Sequence, residues 1–111
     1  MPTNREELRQ AVHLMLHDVI EQGFHLLVYH PQHSDTINGV IQEAGEEIHR
    51  QLVRVEAGNL LPSSALQEHY EIINRQVHRS SLALLARLQK IHPPEVTLNN
   101  VRSGLSSGLP A

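Results

Sequence analysis

Three long stretches of helical hydrophobic periodicity, divided by two short breaks, predict an all-α protein. The arrangement they lead us to expect is an antiparallel up-down-up three-helix bundle with long helices and a flexible C-terminal tail. Three observations carry this. Apolar residues recur every three or four positions through most of the chain. The breaks, "HPQHSD" and "AGNLLPSS", contain the proline, glycine and small polar residues that end one helix and start the next. The composition is aliphatic, 40 % hydrophobic but only 3 % aromatic, which suits packed helices. A chain of 111 residues fits one domain. We expect a bundle over residues 1–92 and a Pro/Ser/Gly-rich tail over 93–111, "VTLNNVRSGLSSGLPA" being the segment without periodicity.

The first helix opens at Thr3-Asn4-Arg5-Glu6, a T-x-x-E capping box in which each side chain satisfies an unpaired backbone N–H of the first turn. Its apolar row is Leu8, Val12, Met15 and Val19, widened by Leu16, Ile20, Leu26 and Leu27, and Pro31 stops it. The second helix starts at Ser34 or Asp35, both good N-caps. Its row runs Ile37, Val40, Ile41, Ala44, Ile48, Leu52, Val55, and Gly58 is placed to end it in the left-handed conformation. Gly45 is the position expected to allow close approach of another helix. The third helix is capped by a Ser64–Gln67 box and carries Leu66, Tyr70, Ile73, Val77, Leu84, Leu88 and Ile91 before Pro93-Pro94. Helices of about 27, 23 and 28 residues would be roughly 35–42 Å long at 1.5 Å per residue. Similar lengths and short links favour neighbours of opposite direction.

Charge and composition exclude several function classes. There is no cysteine, so disulfides, thiol chemistry and cysteine-ligated metal clusters are absent. The net charge is −3 and lysine occurs once, at Lys90, so no basic groove for nucleic acid is expected. "MPTNREELRQ" leads into an amphipathic stretch rather than an apolar leader, and the longest apolar runs fall far short of the roughly 20 residues a membrane span needs. These features lead us to expect a cytoplasmic protein without a membrane span.

Nine histidines stand out. His13, His17 and His25 fall in an every-fourth-residue row along the first helix, with Glu21 filling the gap between His17 and His25. A His pair at i, i+4 can chelate a divalent metal, so His13, His17 and Glu21 are the metal-ligand candidates, and the cofactor expected otherwise is none. Each four-residue step rotates by about 40°, however, so the row spirals from the flank of the core face towards its opposite. An exposed polar helix edge is therefore the expected reading. His30 and His33 flank the turn and are read as loop residues. On the second helix, Glu43 and Glu47 stand at i, i+4; Glu46 and Arg50 read as a solvated ion pair; Glu47, nearer the core, is the best carboxylate candidate. Glu46 and His49 form one Glu-x-x-His, where di-iron bundles use two.

Ser80 and Ser81 lie beside His78, but the sequence offers no organised acid partner or oxyanion loop, so no enzyme is expected. His78 itself, on an exposed stretch of a long helix, is the candidate for a histidine phosphotransfer module. Arg79-Ser80-Ser81 follow it where such modules place Lys and Gly. The same stretch, "QVHRSSLALLARLQ", is apolar over much of its circumference. Leu82, Leu85 and Ala86 fall off the stripe of Val77, Leu84 and Leu88 and are the candidate interface residues. A second copy, another part of a larger protein, or the chain's own tail would cover them.

Across the second and third stretches runs "EAGEEIHRQLVRVEAGNLLPSSALQEHYEIINRQVHRSSLALL". Its acidic "EEI", its "GNL" turn and a Ser-capped helix with "INR" resemble the PhoU-like helical domain, in the version found as the cytoplasmic region of bacterial sodium/phosphate cotransporters. The resemblance covers about residues 8–91, one three-helix unit. It implies a non-enzymatic regulatory domain in phosphate uptake, often a homodimer or a part of a larger transporter. Some members of that family hold metal through an acidic E/D-x-x-x-D motif, and the matching positions here are Asn74 and His78.

Overall fold

The computed structural model describes residues 4–91. The tail predicted over 93–111, the Pro93-Pro94 stop and the Thr3 end of the first capping box lie outside the described residues. Within them the chain forms three α-helices, α1 (Arg5–Tyr29), α2 (Ser34–Ala57) and α3 (Ser63–Gln89), of 25, 24 and 27 residues. Two short 3₁₀ turns join them, Pro31–His33 and Gly58–Leu60. The described residues contain no strand.

The helix ends differ from the sequence expectation in consistent ways. The N-cap of α1 is Asn4, one residue beyond the predicted Thr3; its Oδ1 accepts from the Glu7 N–H at 2.8 Å. At the other end, His30 leaves the helical region at φ −136°, as a residue before proline must, because the proline ring crowds the α conformation of its predecessor. Neither Ser34 nor Asp35 caps α2. The 3₁₀ turn feeds directly into the helix, with the Ser34 N–H bonded to Pro31 O, so a side-chain cap is not needed there. Likewise Ser64 is not a cap: Pro62 precedes the helix in extended conformation and accepts from the Ala65 N–H at 3.0 Å.

Two glycines also play other parts than expected. Gly58 is not left-handed; its φ is −59°, and the chain leaves α2 by tightening into the 3₁₀ turn. What it does need is space, since a Cβ there would lie 3.1 Å from Leu66 and 3.2 Å from His69 on α3. Gly45 faces open space instead of a neighbouring helix, and the close approach occurs at Gly23, where a Cβ would lie 2.6 Å from Ile41 Cγ1. Gly23 thus lets α1 and α2 meet near the first turn.

The core is a single aliphatic cluster. Leu8, Val12, Leu16 and Val19 of α1 are fully buried, as are Ile37, Val40, Ala44 and Val55 of α2 and Ile73 and Val77 of α3. Tyr70 is the aromatic member. Burying a Val or Leu side chain stabilises by about 1.5–3 kcal/mol, and this cluster is the main favourable term in the fold. The rows shift slightly from those read in the sequence. Leu16 takes the central place with Met15 on its flank, and Ile41, Ile48, Leu52 and Leu66 pack at the margin. Between Ala44 and Val55 of α2, and between Val77 and Leu84 of α3, the buried places fall to polar residues, Glu47, Gln51 and Ser81.

Candidate functional site: a polar seam and the outer apolar faces

Two of the three buried polar residues, Glu47 and Gln51, belong to one network along the boundary of α2 and α3. Glu47 is the hub. Its Oε2 accepts from Gln51 Nε2 at 2.8 Å and from Ser80 Oγ at 2.9 Å, and its Oε1 accepts from Arg50. Gln51 also reaches Gln76 Oε1 at 3.4 Å, and Arg54 donates to the same oxygen. The His69 Nε2 lies 2.8 Å from the Arg54 carbonyl. Towards the far end Arg87 donates to Glu43 Oε1 at 2.7 Å. The partners therefore pair in reverse order: 43 with 87, 47 with 80, 51 with 76, 54 with 69. Between α1 and α2 the order is also reversed, with Arg9 bonded to Glu56 at one end and Gly23 against Ile41 at the other.

The seam changes two sequence expectations. Arg50 pairs with Glu47, not with Glu46, whose carboxylate accepts from Gln42 instead. Ser80 does have an acid partner: its Oγ donates to Glu47 Oε2, whose other bonds come from Gln51 and, at Oε1, from Arg50. Ser81 Oγ donates to the His78 carbonyl, the local bond of a small residue packed inside a helix. At the exposed end, the hydrogen bond from Arg87 holds the Glu43 carboxyl below its ordinary value. Its stabilising effect is present above the unfolded carboxyl's range and is lost as pH falls through the lower folded value. Both side chains are about half exposed, so the effect is small.

The metal candidates lie on the outside of α1. His13, His17 and Glu21 are all exposed. The His13 and His17 rings stack, centroids 5.4 Å apart and planes 25° from parallel. Ring nitrogen lone pairs lie in the ring plane, so stacked imidazoles do not aim at a common point. Among the described residues, no group of three His, Cys, Asp or Glu side chains is placed to hold a metal ion. Replacing His13 and His17 by Gln is expected to leave the unfolding free energy of the monomer, measured in dilute solution, within about 0.5 kcal/mol, as for ordinary surface changes. A larger loss in thermal denaturation would show that these rings do structural work.

The remaining candidates are on α3. His78 is exposed. Leu82 is 54 % exposed, Ala86 is exposed, and Leu85 is half-buried against the core cluster. Larger apolar exposure lies elsewhere, on the outer face of α1, where Leu14 is 74 %, Phe24 55 % and Val28 72 % exposed. The sequence reading missed these three. Their signal in the sequence is spacing: together with His17 and Glu21 they fall at steps of three and four residues on one exposed face. Among the described residues no helix is long and apolar enough to cross a membrane.

No protein-family model matches the chain, and neither a curated protein nor a solved structure does.

Proposed function

We propose that the chain is a non-enzymatic regulatory or interaction domain, an antiparallel up-down-up bundle that works by docking to other protein surfaces. The observation that carries this is the set of large apolar side chains turned to solvent on outer helix faces, Leu82 among them. Single exposed leucines are ordinary, but several on faces opposite a well-filled core suggest contact surfaces. The reversed pairing of seam partners supports the antiparallel order. On this reading Leu82, Leu85 and Ala86 form an interface with a second copy or with the rest of a larger assembly. A PhoU-like role in restraining phosphate uptake, inside the cytoplasm, is the specific form we favour. It rests on the spacing resemblance over residues 8–91.

The test is photo-crosslinking in the native cell, with a photoreactive amino acid in place of Leu82 and, as control, in place of the exposed Gln67. The expected result is a discrete adduct from Leu82 whose peptides come from another copy or from a phosphate-uptake protein. No adduct above the Gln67 control would contradict the interface.

A further inference from the structure

The outer face of α1 carries five residues at alternating steps of three and four: Leu14, His17, Glu21, Phe24 and Val28. All are exposed. This is the a/d spacing by which one helix presents a seam to another, and it lies opposite the stripe of Leu8, Val12, Leu16 and Val19 that α1 buries in its own bundle. The seam is apolar at Leu14, Phe24 and Val28 and polar at its middle. A partner must therefore cover apolar ends and satisfy one imidazole and one carboxylate at the centre.

We infer that this face pairs with α1 of a second copy of this chain, running in the opposite direction, so that Leu14 packs on Phe24 and His17 meets Glu21 across a two-fold axis. The inference rests on the interaction-domain reading above and names one of its surfaces and the occupant. The self-complementarity of the seam decides it. In an antiparallel helix pair, each a position faces a d position of the other chain. Setting Leu14 against Phe24 brings His17 against Glu21, and the two-fold repeats both contacts. An imidazole N–H can donate to a carboxylate whether the ring is neutral or charged. Gln10, also exposed, falls opposite Val28 at the ends.

Other registers lose this match. A parallel, in-register pair puts Glu21 against Glu21 and His17 against His17. Sliding the antiparallel pair by one step in either direction sets Phe24 against Glu21 or Glu7. Polar residues inside an apolar seam are the features that fix register and direction in helix pairs, at some loss of strength. With three apolar residues per copy, the pairing is weak and concentration-dependent.

The test is sedimentation equilibrium of the full chain at neutral pH over a range of concentrations, comparing wild type with H17E and with the exchange variant H17E/E21H. Wild type is expected to form a reversible dimer. H17E sets carboxylate against carboxylate twice, and its dissociation constant should rise about tenfold or more. The exchange variant restores an imidazole opposite a carboxylate at both places and should return to within about threefold of wild type. All of these residues are exposed, and circular dichroism should show unchanged folding. A wild type that stays monomeric, or an exchange variant as weak as H17E, overturns the pairing. A monomer that still gives the Leu82 adduct would sink the α1 pairing alone; loss of that adduct with an intact dimer would sink only the α3 interface.

Discussion

Leu16→Ala should destabilise the bundle by about 3 kcal/mol, the middle of the range for removing a buried leucine. Leu16 is fully buried near the midpoint of α1, among the cluster residues of all three helices. Truncation removes three carbon atoms from contact and leaves a cavity that rigid helices refill only in part. A domain of this size has a total stability of about 5–10 kcal/mol, so the loss is a large share of it. In temperature it corresponds to a drop of more than about 10 °C in Tm. Leu14→Ala, two residues away but 74 % exposed, should stay within about 0.5 kcal/mol at concentrations where the chain is monomeric. Urea denaturation of both variants is the measurement. Similar losses for the two would contradict the assignment of the α1 faces.

Glu47→Ala should cost about 2 kcal/mol, for a different reason. Glu47 is only 8 % exposed and receives bonds from Gln51, Ser80 and Arg50. Removing it leaves the buried Gln51 amide and the Ser80 hydroxyl short of an acceptor, and an unsatisfied buried donor is costlier than a hydrogen bond is stabilising. The cost should be shared with its partner. In a double-mutant cycle with Ser80→Ala, the combined loss should fall short of the sum by about 0.5 kcal/mol or more. Additive losses would mean that the two side chains do not interact. Replacing both Glu47 and Gln51 by Leu should cost less than Glu47→Ala alone, because the buried Gln51 amide is removed together with its acceptor and only the half-buried Ser80 hydroxyl is left to find another.

The helices themselves were legible in the sequence because their periodicity is long and their breaks contain proline or glycine. Their ends were less so. Ser34, Ser64 and Gly58 have the right chemistry for caps, but 3₁₀ turns and Pro62 meet the same backbone demands without them. Local propensity names residues able to cap, and the loop path decides whether one is used. The polar seam was hidden for a related reason. Val40, Ala44, Glu47, Gln51 and Val55 lie along one stripe, but a reading that follows apolar residues steps sideways to Ile48 and Leu52. Only the presence of Ser80 and Gln76 opposite makes Glu47 and Gln51 acceptable in the interior, and that juxtaposition is tertiary. The histidine row behaves as its rotation about the helix predicts, on the exposed side. The apolar residues interleaved with it, Leu14, Phe24 and Val28, carry the surface that now asks for a partner.

The central claim is that this bundle acts through protein contacts and does not depend on a bound metal. Its most direct test is the light-scattering mass of tag-free protein with elemental analysis, before and after treatment with EDTA. The account predicts a metal-free, concentration-dependent dimer whose mass and melting are unchanged by the chelator. Stoichiometric metal whose removal alters either one would contradict it, and His13, His17 and Glu21 would then be the first ligands to replace.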